Sequence, residues 1–221
     1  MQRRSMHLGL RFDAAGERLY AAGGYDRTIQ RHRFDGDRRV TFDRLWELHD
    51  CYTTDVVLST DESQLYTSCF IQKKVARLDL ATGAQLDIAT GPEPYALALT
   101  PNGKRLFASN ISTVANPAQG DTVTVLDLDA ARSIGAVHVG LGPEGIVVTP
   151  NGKRVLVACN KTDEIVEIDA STLAVTRRIS LHDDGAALKG IYPTLMTLTP
   201  DGKTLYVAGA GENLVAVVDV T

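Results

Sequence analysis

Short apolar runs separated by polar turns recur along the whole chain. Segments such as Tyr95-Ala96-Leu97-Ala98-Leu99-Thr100 and Gly145-Ile146-Val147-Val148-Thr149 are rich in small or β-branched residues. They show no 3.6-residue stripe, so strands are expected and helices are not. Each run leads into a repeated turn. Pro101-Asn102-Gly103-Lys104-Arg105-Leu106-Phe107 returns as Pro150-Asn151-Gly152-Lys153-Arg154-Val155-Leu156 and as Pro200-Asp201-Gly202-Lys203-Thr204-Leu205-Tyr206. Asn-Gly or Asp-Gly between apolar runs predicts a hairpin, because both turn positions tolerate positive φ. Two more copies come earlier. Asp13 to Tyr20 keeps its glycine at Gly16, whereas Thr60-Asp61-Glu62-Ser63 lacks one and is expected to turn less tightly.

The repeat anchors fall at Tyr20, Tyr66, Phe107, Leu156 and Tyr206, which are 46, 41, 49 and 50 residues apart. That period fits four-stranded propeller blades and exceeds the ankyrin, TPR and leucine-rich periods. A third strand in each unit ends in an aspartate, at Asp35, Asp79, Asp127, Asp169 and Asp219. These carboxylates suit Asx turns into a fourth strand. They lie one per unit, so they do not converge on a metal. The expected fold is all-β, a propeller domain over 1–221 with antiparallel blades at about 7–50, 51–93, 94–144 and 145–195, and an incomplete one at 196–221. The last unit ends after its third strand, so about four and a half blades of a larger ring are expected, with an open apolar edge.

Composition narrows the function only a little. A net charge of −4 argues against a nucleic-acid surface, although all ten basic residues among the first 50 are arginines, set against eight acids. No apolar run is long enough to span a membrane. Cys69 and Cys159 hold equivalent positions two units apart, too far for a disulfide, and are expected to be small buried residues. Cys51 lies in a connection and is the candidate reactive thiol. No nucleophile elbow, Walker loop, Rossmann fingerprint or Cys-x-x-Cys occurs.

The Pro-Asx-Gly-Lys turn followed by Leu205-Tyr206-Val207-Ala208-Gly209 and by Val215-Ala216-Val217-Val218-Asp219 resembles the YVTN-type β-propeller repeat. The resemblance covers nearly the whole chain and is weakest at 51–75. It implies a bacterial or archaeal propeller of seven blades, exported to the periplasm or outside the cell, and similar to lactonase and haem-d nitrite-reductase propellers. A cytoplasmic location stays open. The stretch Ser112 to Gly120 is similar to an insertion in propellers fused to an alkaline-phosphatase-like phosphoesterase.

Because strands are committed to packing, function is expected in the loops at one channel mouth. The candidate ligand-binding residues there are His49, Asp50, Glu93, Tyr95, Asn110, Glu144, His182, Asp183 and Tyr192. Gly-Pro-Glu occurs at 91–93 and 142–144, which suggests equivalent carboxylates at Glu93 and Glu144. Carboxylates and imidazoles there would suit a divalent metal or a cationic ligand, yet no tight metal-ligand spacing selects one, and no cofactor is assigned. His7, His32 and His138 fall on or beside strands. The leading expectation is a scaffold for a protein partner or a small-molecule ligand. The alternative is an enzyme, either a lactonase-type hydrolase or the propeller half of a phosphoesterase.

Overall fold

The computed structural model describes residues 9–34, 39–111, 120–181, 190–211 and 213–221. Residues 112–119 of the 112–120 insertion and the candidates His182 and Asp183 lie outside them. The described residues form five antiparallel sheets, each built from consecutive strands. The first contains β1 (Leu10–Phe12), β2 (Arg18–Ala22), β3 (Thr28–Phe34) and β4 (Val40–Glu47). The second contains β5 (Thr53–Leu58), β6 (Gln64–Cys69), β7 (Lys74–Asp79) and β8 (Gln85–Ala89). The third contains β9 (Pro94–Leu99), β10 (Arg105–Ile111), β11 (Asp121–Asp127) and β12 (Arg132–His138). The fourth contains β13 (Pro143–Val148), β14 (Arg154–Cys159), β15 (Glu164–Asp169) and β16 (Val175–Ser180). The fifth has three strands, β17 (Pro193–Leu198), β18 (Thr204–Gly209) and β19 (Leu214–Asp219). No helix among the described residues is long and apolar enough to cross a membrane.

The blade count differs from the expected four and a half of a seven-bladed ring. It is five, because β17–β19 pair as a sheet of their own and bury Leu205, Val207 and Val220 against Leu156, Ala158 and Ile165 of the fourth. That makes the last unit a blade in its own right. Its other face leaves Leu195, Tyr206, Val215 and Val217 exposed.

The chain divides into two compact units, residues 1–97 and 98–221. In the first, Tyr20, Ala22, Ile29 and Trp46 of one sheet pack on Val56, Leu58, Leu65, Ala76 and Leu78 of the next. Trp46 is also covered by the Arg44 guanidinium, 4.7 Å from the ring centroid, which in turn donates to the carbonyl of Leu80 at 3.0 Å. The second unit repeats the device. Arg105 donates to the carbonyl of Ala170, and Arg154 to that of Val220 at 2.6 Å.

The repeated turns are tight, and only their glycines take positive φ: Gly16 71°, Gly103 70°, Gly152 71° and Gly202 70°. The Asx residue acts through its side chain instead. Asn102 Oδ1 accepts from the Thr100 hydroxyl and the Lys104 N–H, while Thr100 Oγ1 accepts from the Arg105 N–H. Thr149 with Asn151 and Thr199 with Asp201 repeat this. The copy without glycine turns just as tightly, contrary to expectation. Glu62 takes φ 57°, and its N–H donates to the Ser59 carbonyl at 2.9 Å. The aspartates that close the third strands accept from N–H groups two or three residues on, as expected, at Asp79, Asp127, Asp169 and Asp219. Asp35 lies outside the described residues.

Two outcomes test this account. A Cβ on Gly202 would lie 2.8 Å from Pro150 Cδ, whereas one on Gly16 would meet open space. The backbone strain of Ala at positive φ costs about 1 kcal/mol. The urea midpoint should therefore fall for Gly16→Ala and fall further for Gly202→Ala. The second outcome concerns acid. The Ser59 hydroxyl beside Asp61 holds its carboxyl down at about 2, and the Ser171 hydroxyl holds Asp169 well below the carboxylate range. Both folded values lie below the unfolded value of about 3.9, so the unfolded chain binds more protons there. Stability present above about pH 4 is then lost as pH falls toward 2. The loss should be shallower in Asp61→Asn Asp169→Asn, and an equal loss would place the acid sensitivity elsewhere.

Candidate functional site

Antiparallel order puts the β2–β3 and β6–β7 turns at the same end of their sheets as the β4–β5 and β8–β9 connections. In the first unit these loops are tied together by backbone groups. Gly24 N–H donates to Thr53 Oγ1 at 2.8 Å, Phe70 N–H to the Tyr52 carbonyl at 2.9 Å, and Thr90 N–H to the Lys73 carbonyl at 2.9 Å. Arg27 and Lys73, both at φ 54°, end the two turns in the left-handed region and aim the chain back into β3 and β7.

A row of aromatic rings crosses this loop face. Tyr25 meets Tyr52 with centroids 4.4 Å apart, Tyr52 meets Phe70 at 6.1 Å, and Phe70 meets Tyr95 at 6.3 Å, all edge to face. Tyr25 is 66% exposed, Phe70 and Tyr95 are half-buried, and Tyr52 is buried. Burial, with the Tyr25 phenol beside it, pushes the Tyr52 hydroxyl above its usual pKa. Gln72 frames the row, its Oε1 accepting from the Tyr52 N–H at 2.8 Å and its Nε2 lying 3.4 Å from Asp50 Oδ1.

Beneath the row, Cys51 and Cys69 are joined in a disulfide with Cα atoms 4.6 Å apart. The cysteines directly precede Tyr52 and Phe70, so the bond clamps the two central rings. This corrects the expectation that Cys51 is a reactive thiol and Cys69 a free buried one. The β5–β6 hairpin sets Thr53 opposite Cys69, two residues from Cys51. The signal was the hairpin register, which the comparison of equivalent strand positions passed over. Cys159 is free and buried as expected, its thiol pushed up to about 12 by burial and therefore inert.

The candidate residues divide between the units. In the first, His49 and Asp50 are exposed, and His49 donates its N–H to Gln85 Oε1 at 2.8 Å. Glu93 is half-buried with φ 54°, and Tyr95 closes the aromatic row. In the second, Asn110 is fully buried and donates to the Thr122 and Thr124 hydroxyls. Tyr192 is exposed, its N–H donating to Asp163 Oδ1 at 2.7 Å. Glu144 is half-buried, and burial raises its pKa against the opposing Lys161 ammonium.

Glu93 and Glu144 are not equivalent. The inner strands begin at Pro94, Pro143 and Pro193, so Glu93 precedes its proline and Glu144 follows one. The residue equivalent to Glu144 is Tyr95. Their carbonyls accept alike, from Ser109 and Ser68 respectively, each at 2.7 Å. Gly-Pro-Glu is therefore one tripeptide in two registers. Sequence reasoning also passed over Asp55, whose carboxyl is raised by burial and accepts the N–H groups of Val56 and Leu97 at 2.8 Å. That is a structural stitch between inner strands. Among the described residues no group of three His, Cys, Asp or Glu side chains could hold a metal ion.

Within each unit, antiparallel sheets of consecutive strands pack face to face, an arrangement shared with solved structures. The chain has the β-propeller fold. It is similar to hydrazine synthase of Kuenenia stuttgartiensis, with a TM-score of 0.79 and 20% identity over 96% of this chain and 64% of that one. It is also similar to a candidate 6-phosphogluconolactonase of Bacteroides uniformis, with a TM-score of 0.65 and 19% identity over 79% of this chain and 55% of that one. The chain thus spans less than two thirds of either neighbour. Identities this low speak for the fold alone. No protein-family model and no curated protein matches the chain.

The disulfide is open to a direct count. In denaturant without reductant, a thiol reagent should label Cys159 alone, and after reduction it should label all three cysteines. Because the bond closes a span of 18 residues, reduction should cost about 3 kcal/mol of stability. Labelling of three thiols before reduction would refute the pairing.

Proposed function

We propose that this chain is a YVTN-type propeller module that binds a ligand or partner on the loop face of residues 1–97. The observation that carries the reading is the aromatic row from Tyr25 to Tyr95, with its most exposed ring at the end. Aromatic rings at a surface supply large contact area at small entropy cost, and Tyr is enriched where binding energy concentrates. Asp50, Gln72 and Glu93 lie on the same loops and supply polar contacts that orient a bound group. The clamp between Cys51 and Cys69 preorganises the rings and supports function in an oxidising compartment, in keeping with a periplasmic or extracellular location. The lactonase-type and phosphoesterase readings rest on resemblance alone.

Backbone amide shifts of the isotope-labelled chain, followed while aromatic, polyhydroxylated and cationic fragments are titrated, test the reading. Perturbations should cluster at 24–27, 50–52, 70–73 and 93–95, and should vanish in Tyr25→Ala Phe70→Ala. Hits that cluster elsewhere, or that survive the double substitution, would overturn it.

A further inference from the structure

A packed blade has two unlike faces, one that receives the blade after it and one that fits on the blade before. In the second unit the fourth blade receives with Leu156, Ala158 and Ile165, and the fifth fits with Met196, Leu198 and Leu205. On the fifth blade the receiving face is open. Hairpin register places Tyr206, Ala208 and Val215 there where the fourth has Leu156, Ala158 and Ile165. Ile165 is fully buried, whereas Val215 is 62% exposed. The Arg154–Glu167 ion pair of the fourth blade is replaced by Thr204 and Val217, so the open face is apolar where its counterpart is charged.

On the first blade it is the fitting face that is open. Register places Leu10, Phe12 and Leu19 where the fifth blade has Met196, Leu198 and Leu205. Leu10 is 53% exposed, and Phe12 and Phe42 are exposed with it. The repeated turns agree. Pro101 Cδ lies 3.2 Å from where Gly152 would carry a Cβ, and Pro150 Cδ lies 2.8 Å from that point on Gly202. Pro200 is the next proline of that series, and the Cβ position of Gly16 meets nothing within 4 Å. Exposed apolar faces of this kind mark interaction sites. These two are the halves of one contact that the chain already makes between its fourth and fifth blades, which selects a second copy over a foreign partner. We infer that the fifth blade of one copy receives the first blade of another, head to tail, with Pro200 of the one set against Gly16 of the other. A contact that uses a different patch on each partner is heterologous and extends to a ring or a filament.

Sedimentation equilibrium of the whole chain tests the contact. The weight-average mass should rise with concentration above that of one chain. Leu10→Lys and Val215→Lys should each weaken association by about a hundredfold or more, because an ammonium would be buried without a partner. Each should keep the melting temperature of the dilute parent chain, since both side chains are mostly exposed. Mixed one to one, the two variants should form a pair and stop there, as the first keeps its fifth blade intact and the second its first blade. Phe42→Lys and Val217→Lys repeat the test from other residues of the same two faces. A parent chain that stays single at every concentration would overturn the inference, and so would a failure to pair in both mixtures. Association of Leu10→Lys and Phe42→Lys as strong as the parent's would also overturn it, by showing a contact without the first blade.

Discussion

A four-stranded sheet cannot bury its own side chains, so each blade depends on the face of the next. That face-to-face burial governs the rest of the structure. In the first unit it places Ile29 and Trp46 against Val56 and Leu65, and in the second it places Leu156 and Ile165 against Leu205 and Val207. The repeated turn serves the same contact. The proline of one turn lies where the glycine of the next would carry a Cβ, Pro101 beside Gly152 and Pro150 beside Gly202. Pro-Asx-Gly is thus a docking element between blades as well as a hairpin. The arginine bonds to the Leu80, Ala170 and Val220 carbonyls extend the contact to the outer turns.

Packing on both faces leaves the inner strands little freedom. The pairing of β5 with β6, β13 with β14 and β17 with β18 shifts register two residues after the strand begins. At that irregularity Asp55 turns its carboxyl onto β9, and Gly145 lets β17 approach so closely that a Cβ would lie 2.2 Å from the Thr194 carbonyl oxygen. Chemistry that must vary is therefore pushed to the loops. There the first unit adds what the second lacks among the described residues, a disulfide whose cysteines directly precede two rings in contact.

Much of the fold was legible because it is periodic. Turns at Gly16, Gly103, Gly152 and Gly202, buried slots at Cys69, Asn110 and Cys159, and Asx turns at Asp79, Asp169 and Asp219 follow from spacing alone. The candidate site was less legible, because equivalence there was read from identical letters. Gly-Pro-Glu at 91–93 and at 142–144 sits in two registers, since the strand begins at the proline after one glutamate and at the proline before the other. Glu62 similarly keeps a tight turn without glycine, since the loop is held by the Ser59 and Asp61 side chains.

The sequence by itself determined the elements: short strands, hairpins at a fixed period, and blades as the unit of repetition. It could do so because local backbone preference and apolar alternation act over a few residues. Only the tertiary structure decided that Cys51 meets Cys69, that Tyr25, Tyr52, Phe70 and Tyr95 touch in succession, and that the last strands count as a fifth blade. Those features join residues of different strands, loops and blades. Their proximity is set by hairpin register and sheet packing, which no single stretch of chain encodes.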